Sequence, residues 1–593
     1  MSEAQGTAMI AGAPRWYESA PYCEKVLGAE SFINSAARPV ESLNGRWHYA
    51  LDQYRVFFKN SWWAEKQRDR HRECGRFPYD YSFNQWPEID VPSSINTAVP
   101  EAKFFEGVVV YTRKFDCAPP AAGERVFIRI GAAHHRSALF LNRQYLGQHL
   151  GGFTPFFAEV TGLLKEQNRI TVAVDTARNP RYIPTDVTDW FNYGGLYRDV
   201  ELIRVPGTFV RDYFVRLVPG SGFGKVAFDV TVDGAEAGAE ATLAIPEADL
   251  ALSVPLDADG RGSAEFEFSP ELWAPGAPRL YDVEISCGED RICERIGFRE
   301  FRVEGSEVLL NGQPVWLKGI SCHEDHPERG RTLNEEDVRG NFALAAELGC
   351  NFMRLAHYPH HERSARIADG LGLMLWEEIP VYWDVAFGNP DTLADAENQL
   401  TELILRDRNR ASVIIWSVGN ENLDTEPRLE FMGRLADLAR EVDGSRPVSA
   451  ACLTQDHRFA DRLIEKLDLI GMNEYYGWYE PDFELLLDVE KPEPPAKPVI
   501  ITETGGGAVA GHHGSPDQMW TEEYQAELYR RQTETIPRLK SVRGLSPWIL
   551  HDFRAPFRLN TYQQGYNRKG LVDAWRKHRK QAFDVLRDFY RSL

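Results

Sequence analysis

Two glutamates stand where a carboxylate could do bond-breaking work. Glu421 closes the segment Trp416-Ser417-Val418-Gly419-Asn420-Glu421, and Glu503 closes Ile500-Ile501-Thr502-Glu503. Each follows directly on an aliphatic run. Cleavage of a glycosidic bond needs such a pair: one carboxyl protonates the leaving oxygen and one carboxylate acts at the anomeric carbon. A lone Glu after a strand is more often a helix cap or an acceptor for loop amides. Two of them, at matching strand ends of an alternating β/α array, point to catalysis.

That array must position them. From 304 onward short apolar strands alternate with amphipathic helices. Strands are expected at 315–320, 351–355, 373–376, 412–416, 447–451, 468–472, 498–502 and 546–550, and a helix over 335–349 stopped by Gly349. Eight such units predict a (β/α)8 TIM barrel over 304–593, with function at the C-terminal strand ends. Glu421 then follows strand four and Glu503 strand seven. Upstream, alternating runs such as 126–130, 138–142 and 169–174 predict a jelly-roll β-sandwich over 1–205. The stretch 206–303 has the length and turn content of an immunoglobulin-like β-sandwich. The fold class is therefore multidomain β plus α/β.

Composition excludes other classes. The 593 residues carry 88 acidic against 67 basic side chains, a net charge of −21, which argues against a nucleic-acid partner. Aromatic residues make up 12%, with 15 Trp and 23 Tyr, which tilts the reading toward sugar-binding surfaces. The eight scattered cysteines lack CxxC spacing and read as reduced, buried thiols. Residues 1–15 lack a secretory pattern, and no run of about 18 apolar residues occurs. No membrane association is expected, and the location expected is cytoplasmic. The pairs His134-His135, His360-His361 and His512-His513 lack metal-ligand spacing, so neither metal nor cofactor is expected. Gly505-Gly506-Gly507 is expected to be a mobile active-site loop, and the basic run 576–580 a solvated helix face.

The motifs resemble glycoside hydrolase family 2, and within it the β-glucuronidases, over nearly the whole chain. Trp416 to Glu421 is similar to the family's acid/base segment, and Thr502-Glu503-Thr504-Gly505 to its nucleophile segment. The resemblance implies a retaining exo-glycosidase with carboxyls roughly 5–5.5 Å apart. Glu421 would carry the proton, its pKa raised by Glu503 and by partial burial. It further implies that Asn420 bonds the sugar 2-hydroxyl, that Tyr475 bonds the nucleophile, and that Tyr479 lines the pocket near the carboxylate end. His357 would contact sugar hydroxyls, Arg354 would support the nucleophile, and Trp548, ending strand eight, would floor the site. Asp189, on a loop of the first domain, would hold a sugar hydroxyl. Asn567-Arg568-Lys569 resembles the Asn-x-Lys motif that recognises a C6 carboxylate; Gln563 stands where bacterial glucuronidases often have Arg. A dimer or tetramer is implied. The rivals are a β-galactosidase or β-galacturonidase, a transglycosylase, and a non-catalytic carbohydrate-binding protein, which would have lost one carboxylate.

Overall fold

The computed structural model describes residues 25–35, 37–65 and 83–593. Residues 1–15, Cys23 and Cys74 lie outside the described residues.

The chain divides into two compact units. One comprises Pro39–Ala177 and Tyr193–Val205 with the described residues up to Ser31. It holds a six-stranded and a four-stranded antiparallel sheet, whose inward residues, among them Trp47, Val109, Ile128 and Leu139, form one buried core. Strand Gln167–Asp175 pairs along its whole length with Val108–Asp116, the central ladder of the jelly roll.

The other unit comprises Phe32–Arg38, Arg178–Asn192 and Pro206–Leu593. It begins with seven antiparallel strands in a three-stranded and a four-stranded sheet, spanning Phe209 to Ile296. In Asp290–Ile296 burial alternates strictly, as expected when one strand face meets the core. That alternation puts Cys293 on the outer face, where it is exposed. The buried-thiol expectation holds for Cys287, Cys322 and Cys452, while Cys117 and Cys350 are half-buried; all six are free thiols.

The barrel follows. Its strands two to seven are Phe352–Leu355, Met374–Glu378, Val413–Asn420, Val448–Leu453, Ile470–Asn473 and Val499–Glu503, each parallel to the next. Strand one is split. Leu317–Lys318 pairs with strand eight, Val542–Leu545, whereas Ser321–Cys322 pairs with strand two. The two halves close the ring. The break falls at Gly319, where a Cβ would come within 2.4 Å of the Phe352 ring, so only glycine lets strands one and two approach there. The helix at Glu335–Leu348 starts on a capping box between Asn334 and Asp337 and ends on Gly349 at φ 86°.

Three expectations change. Strand eight ends at Leu545, so Trp548 lies on the irregular segment beyond it rather than at the strand end. Pro547 has no N–H for the ladder. The basic run 576–580 is not a helix face; the final helix begins at Gln581. Within that run Lys580 is buried against Asp552 at 2.7 Å, and Arg576 reaches Asn341 and His551. The glycines 505–507, expected to form a mobile loop, are instead packed in. They are buried, and a Cβ on Gly506 or Gly507 would meet the Trp478 or Trp520 ring at 2.7 Å.

Candidate active site

The C-terminal ends of strands two, three, four, six and seven converge on one polar cluster. Two irregularities aim it. The pairing of strands four and five slips between Ser417 and Asn420, and that of strands six and seven slips before Asn473 and Glu503. Such bulges re-aim side chains at a sheet end. Glu421 follows in the left-handed region at φ 53°; a non-glycine residue held there stores strain that its surroundings must support.

The surroundings of Glu421 do so. Asn473 Nδ2 donates to its Oε1 at 3.0 Å and Trp383 Nε1 to its Oε2 at 2.8 Å. Burial, and next the charge on Glu503, raise its pKa to about 7, against the weaker pull of those two donors. The carboxyl is thus poised to hold a proton near neutrality.

Glu503 is 4% exposed and its partners are of another kind. Arg354 Nη1 donates to its Oε1 at 2.8 Å and Tyr475 Oη to its Oε2 at 2.6 Å. Both contacts favour a carboxylate anion. Arg354 is fully buried and is held in turn by Glu378 at 3.0 Å and by Asn420 Oδ1 at 2.8 Å. Burial alone would raise the Glu378 pKa, but Arg354 and His357 outweigh it and bring it to about 2. His357 Nδ1 lies 2.9 Å from Glu378, which leaves Nε2 directed toward Glu503 at 3.9 Å. Its ring stacks on Trp548 at 4.7 Å and on Trp190 at 5.6 Å. The Asn420 Nδ2 is buried with no partner among the described residues, a donor awaiting an acceptor.

A second cluster forms from loops. After strand eight, Phe553–Arg554 pairs antiparallel with Tyr566–Asn567, which fixes Asn567. Asn567 Oδ1 accepts the Lys569 backbone N–H at 3.1 Å, and a Cβ on Gly570 would strike the Asp552 backbone at 2.2 Å. The turn therefore projects Lys569 inward, where it is 5% exposed. Its ammonium donates to Tyr479 Oη at 2.8 Å and lies 4.7 Å from the centre of each of the Tyr475 and Tyr479 rings. Burial would raise the Tyr479 pKa, but Lys569 and Arg558 lower it overall.

All eleven residues singled out from the sequence thus lie in these two groups. Glu421, Glu503, Arg354, His357, Asn420, Tyr475 and Trp548 form the first; Tyr479, Asn567, Lys569 and Asp189 form the second. Asp189, expected to hold a sugar hydroxyl, has partners of its own in the second group. Its carboxylate is occupied by Arg558, with Nε at 3.0 Å, and by Asn567 Nδ2 at 3.1 Å. The residues the sequence reading missed are Trp383, Glu378, Asn473 and Arg558. Asn473 ends strand six and Glu378 ends strand three, as Glu503 ends strand seven; nothing in the sequence marks Trp383 or Arg558. Among the described residues no group of His, Cys, Asp and Glu has the arrangement of a metal site, and no helix is long and apolar enough to cross a membrane.

An acid poised near neutrality beside an anion-stabilised carboxylate can cleave a glycosidic bond. Comparison with known proteins agrees. The sugar-binding domain of glycosyl hydrolases family 2 matches residues 40–206, a second family 2 domain matches 208–299, and the family 2 TIM barrel domain matches 301–592. A β-glucuronidase of Paenibacillus borealis is 28% identical over 88% of this chain and 92% of its own length. One from Mus musculus is 28% identical over 94% of this chain and 91% of its own. The solved structure of Ruminococcus gnavus β-glucuronidase superposes with a TM-score of 0.83 at 26% identity, covering 96% of this chain and all of that one. The chain is a glycoside hydrolase and belongs to glycosyl hydrolases family 2.

Proposed function

We propose that the enzyme is a retaining exo-β-D-glucuronidase. The observation that carries the choice of sugar is Lys569. It is a buried ammonium whose hydrogen-bond acceptor is a neutral phenol, and it makes no ion pair among the described residues. A buried cation left without an anion is costly, and a substrate carboxylate removes that cost. The named relatives, β-glucuronidases over nearly their whole length, support the same reading.

Glu503 attacks the anomeric carbon while Glu421 gives its proton to the leaving oxygen, and a covalent glycosyl-enzyme forms. Water then attacks that bond, Glu421 takes the water's proton, and glucuronate leaves with retained configuration. Arg354 and Tyr475 hold the nucleophile charged and aimed. The free Asn420 Nδ2 meets the sugar 2-hydroxyl, His357 Nε2 a neighbouring hydroxyl, and Trp548 supports the ring.

The test is kcat/KM on nitrophenyl β-D-glucuronide, β-D-galacturonide and β-D-galactoside. The proposal expects the glucuronide to lead; a leading galactoside removes the carboxylate argument. A leading galacturonide keeps that argument and corrects only the epimer at C4. Location in the cytoplasm, supported by the free thiols, and a dimer or tetramer complete the proposal. Sedimentation analysis reads the assembly state, and a monomer contradicts it.

A further inference from the structure

The glucuronidase reading leaves one problem, and the inference here rests on that reading. The position at 563 offers the clamp no cation. Gln563 sits in a surface turn, its backbone N–H bonded to Asn560. We infer that Arg558 supplies the second cation of the carboxylate clamp, and that Asp189 is the positioning residue that holds it there.

The guanidinium of Arg558 uses two edges. Nε and Nη2 face Asp189, a two-point contact that fixes the plane of the group. This leaves Nη1, which donates to Tyr479 Oη at 3.3 Å. Lys569 Nζ donates to the same oxygen at 2.8 Å. Two cations from different turns therefore converge on a single neutral acceptor. A carboxylate is the stronger acceptor and has two oxygens, so it can take Nζ and Nη1 together. The Tyr479 hydroxyl proton, which donates to no described residue, is available as a third donor.

Charge counting agrees. Arg558 and Lys569 bring two positive charges, and Asp189 returns one negative charge, with Asn567 neutral beside it. One positive charge remains, which is what a single uronate carboxylate cancels. A neutral hydroxymethyl group leaves it uncompensated. Phe557 braces the arrangement, its ring centre 5.1 Å from the Arg558 guanidinium carbon. Asp189 thus acts through Arg558 rather than on a sugar hydroxyl.

The test is the ratio of kcat/KM on nitrophenyl β-D-glucuronide to that on its C6 amide, which keeps the shape and removes the charge. Arg558→Gln is expected to lower this ratio by about 10- to 100-fold, the range for losing one buried charge-assisted contact. Arg558→Lys, which keeps the charge without the fork, should fall between that and the unmodified enzyme. Asp189→Asn should lower the ratio several-fold, mainly through KM. An Arg558→Gln ratio within twofold of the unmodified enzyme overturns the inference, including the case where both substrates slow together. An unmodified enzyme that prefers the amide overturns the glucuronidase reading itself. Thermal melting identifies a misfolded Arg558→Gln, and the decision then rests on Arg558→Lys and Asp189→Asn by the same ratio.

Discussion

The two halves of the site are built on opposite plans. Glu503, Arg354, Glu378 and Asn420 lie on the barrel ladder itself, all buried, and the half-buried Glu421 directly follows it. Asp189, Tyr479, Arg558, Asn567 and Lys569 come from the loop 178–192 and from the loops after strands six and eight. One of them, Tyr479, is 58% exposed. The first half has its geometry imposed by sheet register. The second depends on side chains that hold each other. The difference separates two questions, since the barrel decides what bond is broken and the loops decide which sugar is presented. Changes in the first half should slow every glycoside alike. Changes in the second should alter the ratio between charged and neutral sugars.

The largest effect is expected at Glu503. Glu503→Gln should lower kcat by roughly 10^4-fold or more on any glycoside, read as nitrophenol release; loss confined to glucuronides would erase the distinction between the halves. Glu421→Gln should follow, with a loss of about 10^2- to 10^4-fold on substrates that need a protonated leaving group. The pH profile carries the same residue's signature. Its folded pKa is raised from 4.5 to about 7, so the acid form dominates between these values and is lost as pH rises through 7. In the unmodified enzyme kcat/KM should therefore fall about tenfold per unit well above pH 7, and Glu421→Gln should abolish that limb.

The loop half has smaller, selective effects. Lys569→Gln should lower kcat/KM on the glucuronide by about 100-fold, from the charge left unpaired, with a much smaller loss on the C6 amide. Equal losses would show that Lys569 supports the fold rather than the choice of sugar. Tyr479→Phe removes one neutral donor and should cost roughly five-fold, on the glucuronide alone.

The same contrast explains what was legible in the sequence. The period of apolar strands and helices placed seven of the eight barrel strands, and strand-end position alone singled out Glu421 and Glu503. Family 2 motifs carried Asn420, Tyr475, His357 and Lys569 into the site. What escaped depends on contacts distant in sequence. Arg558 meets Asp189 across 369 positions, and Trp383 meets Glu421 across 38; neither pair has a local pattern. The basic run 576–580 misled because composition cannot tell a solvated lysine from Lys580, which is buried on Asp552. The end of strand eight was misplaced because apolar residues continue past Pro547 while the ladder does not.

The central claim joins a nucleophile on strand seven to a uronate held by loops. A single labelling experiment reaches both: the enzyme is treated in parallel with 2-deoxy-2-fluoro-β-D-glucuronyl fluoride and its glucosyl counterpart, then digested for mass spectrometry. The account predicts rapid labelling by the glucuronyl reagent alone, with the adduct on Glu503. Labelling on another residue would contradict the mechanism, and equal labelling by both reagents would contradict the choice of sugar.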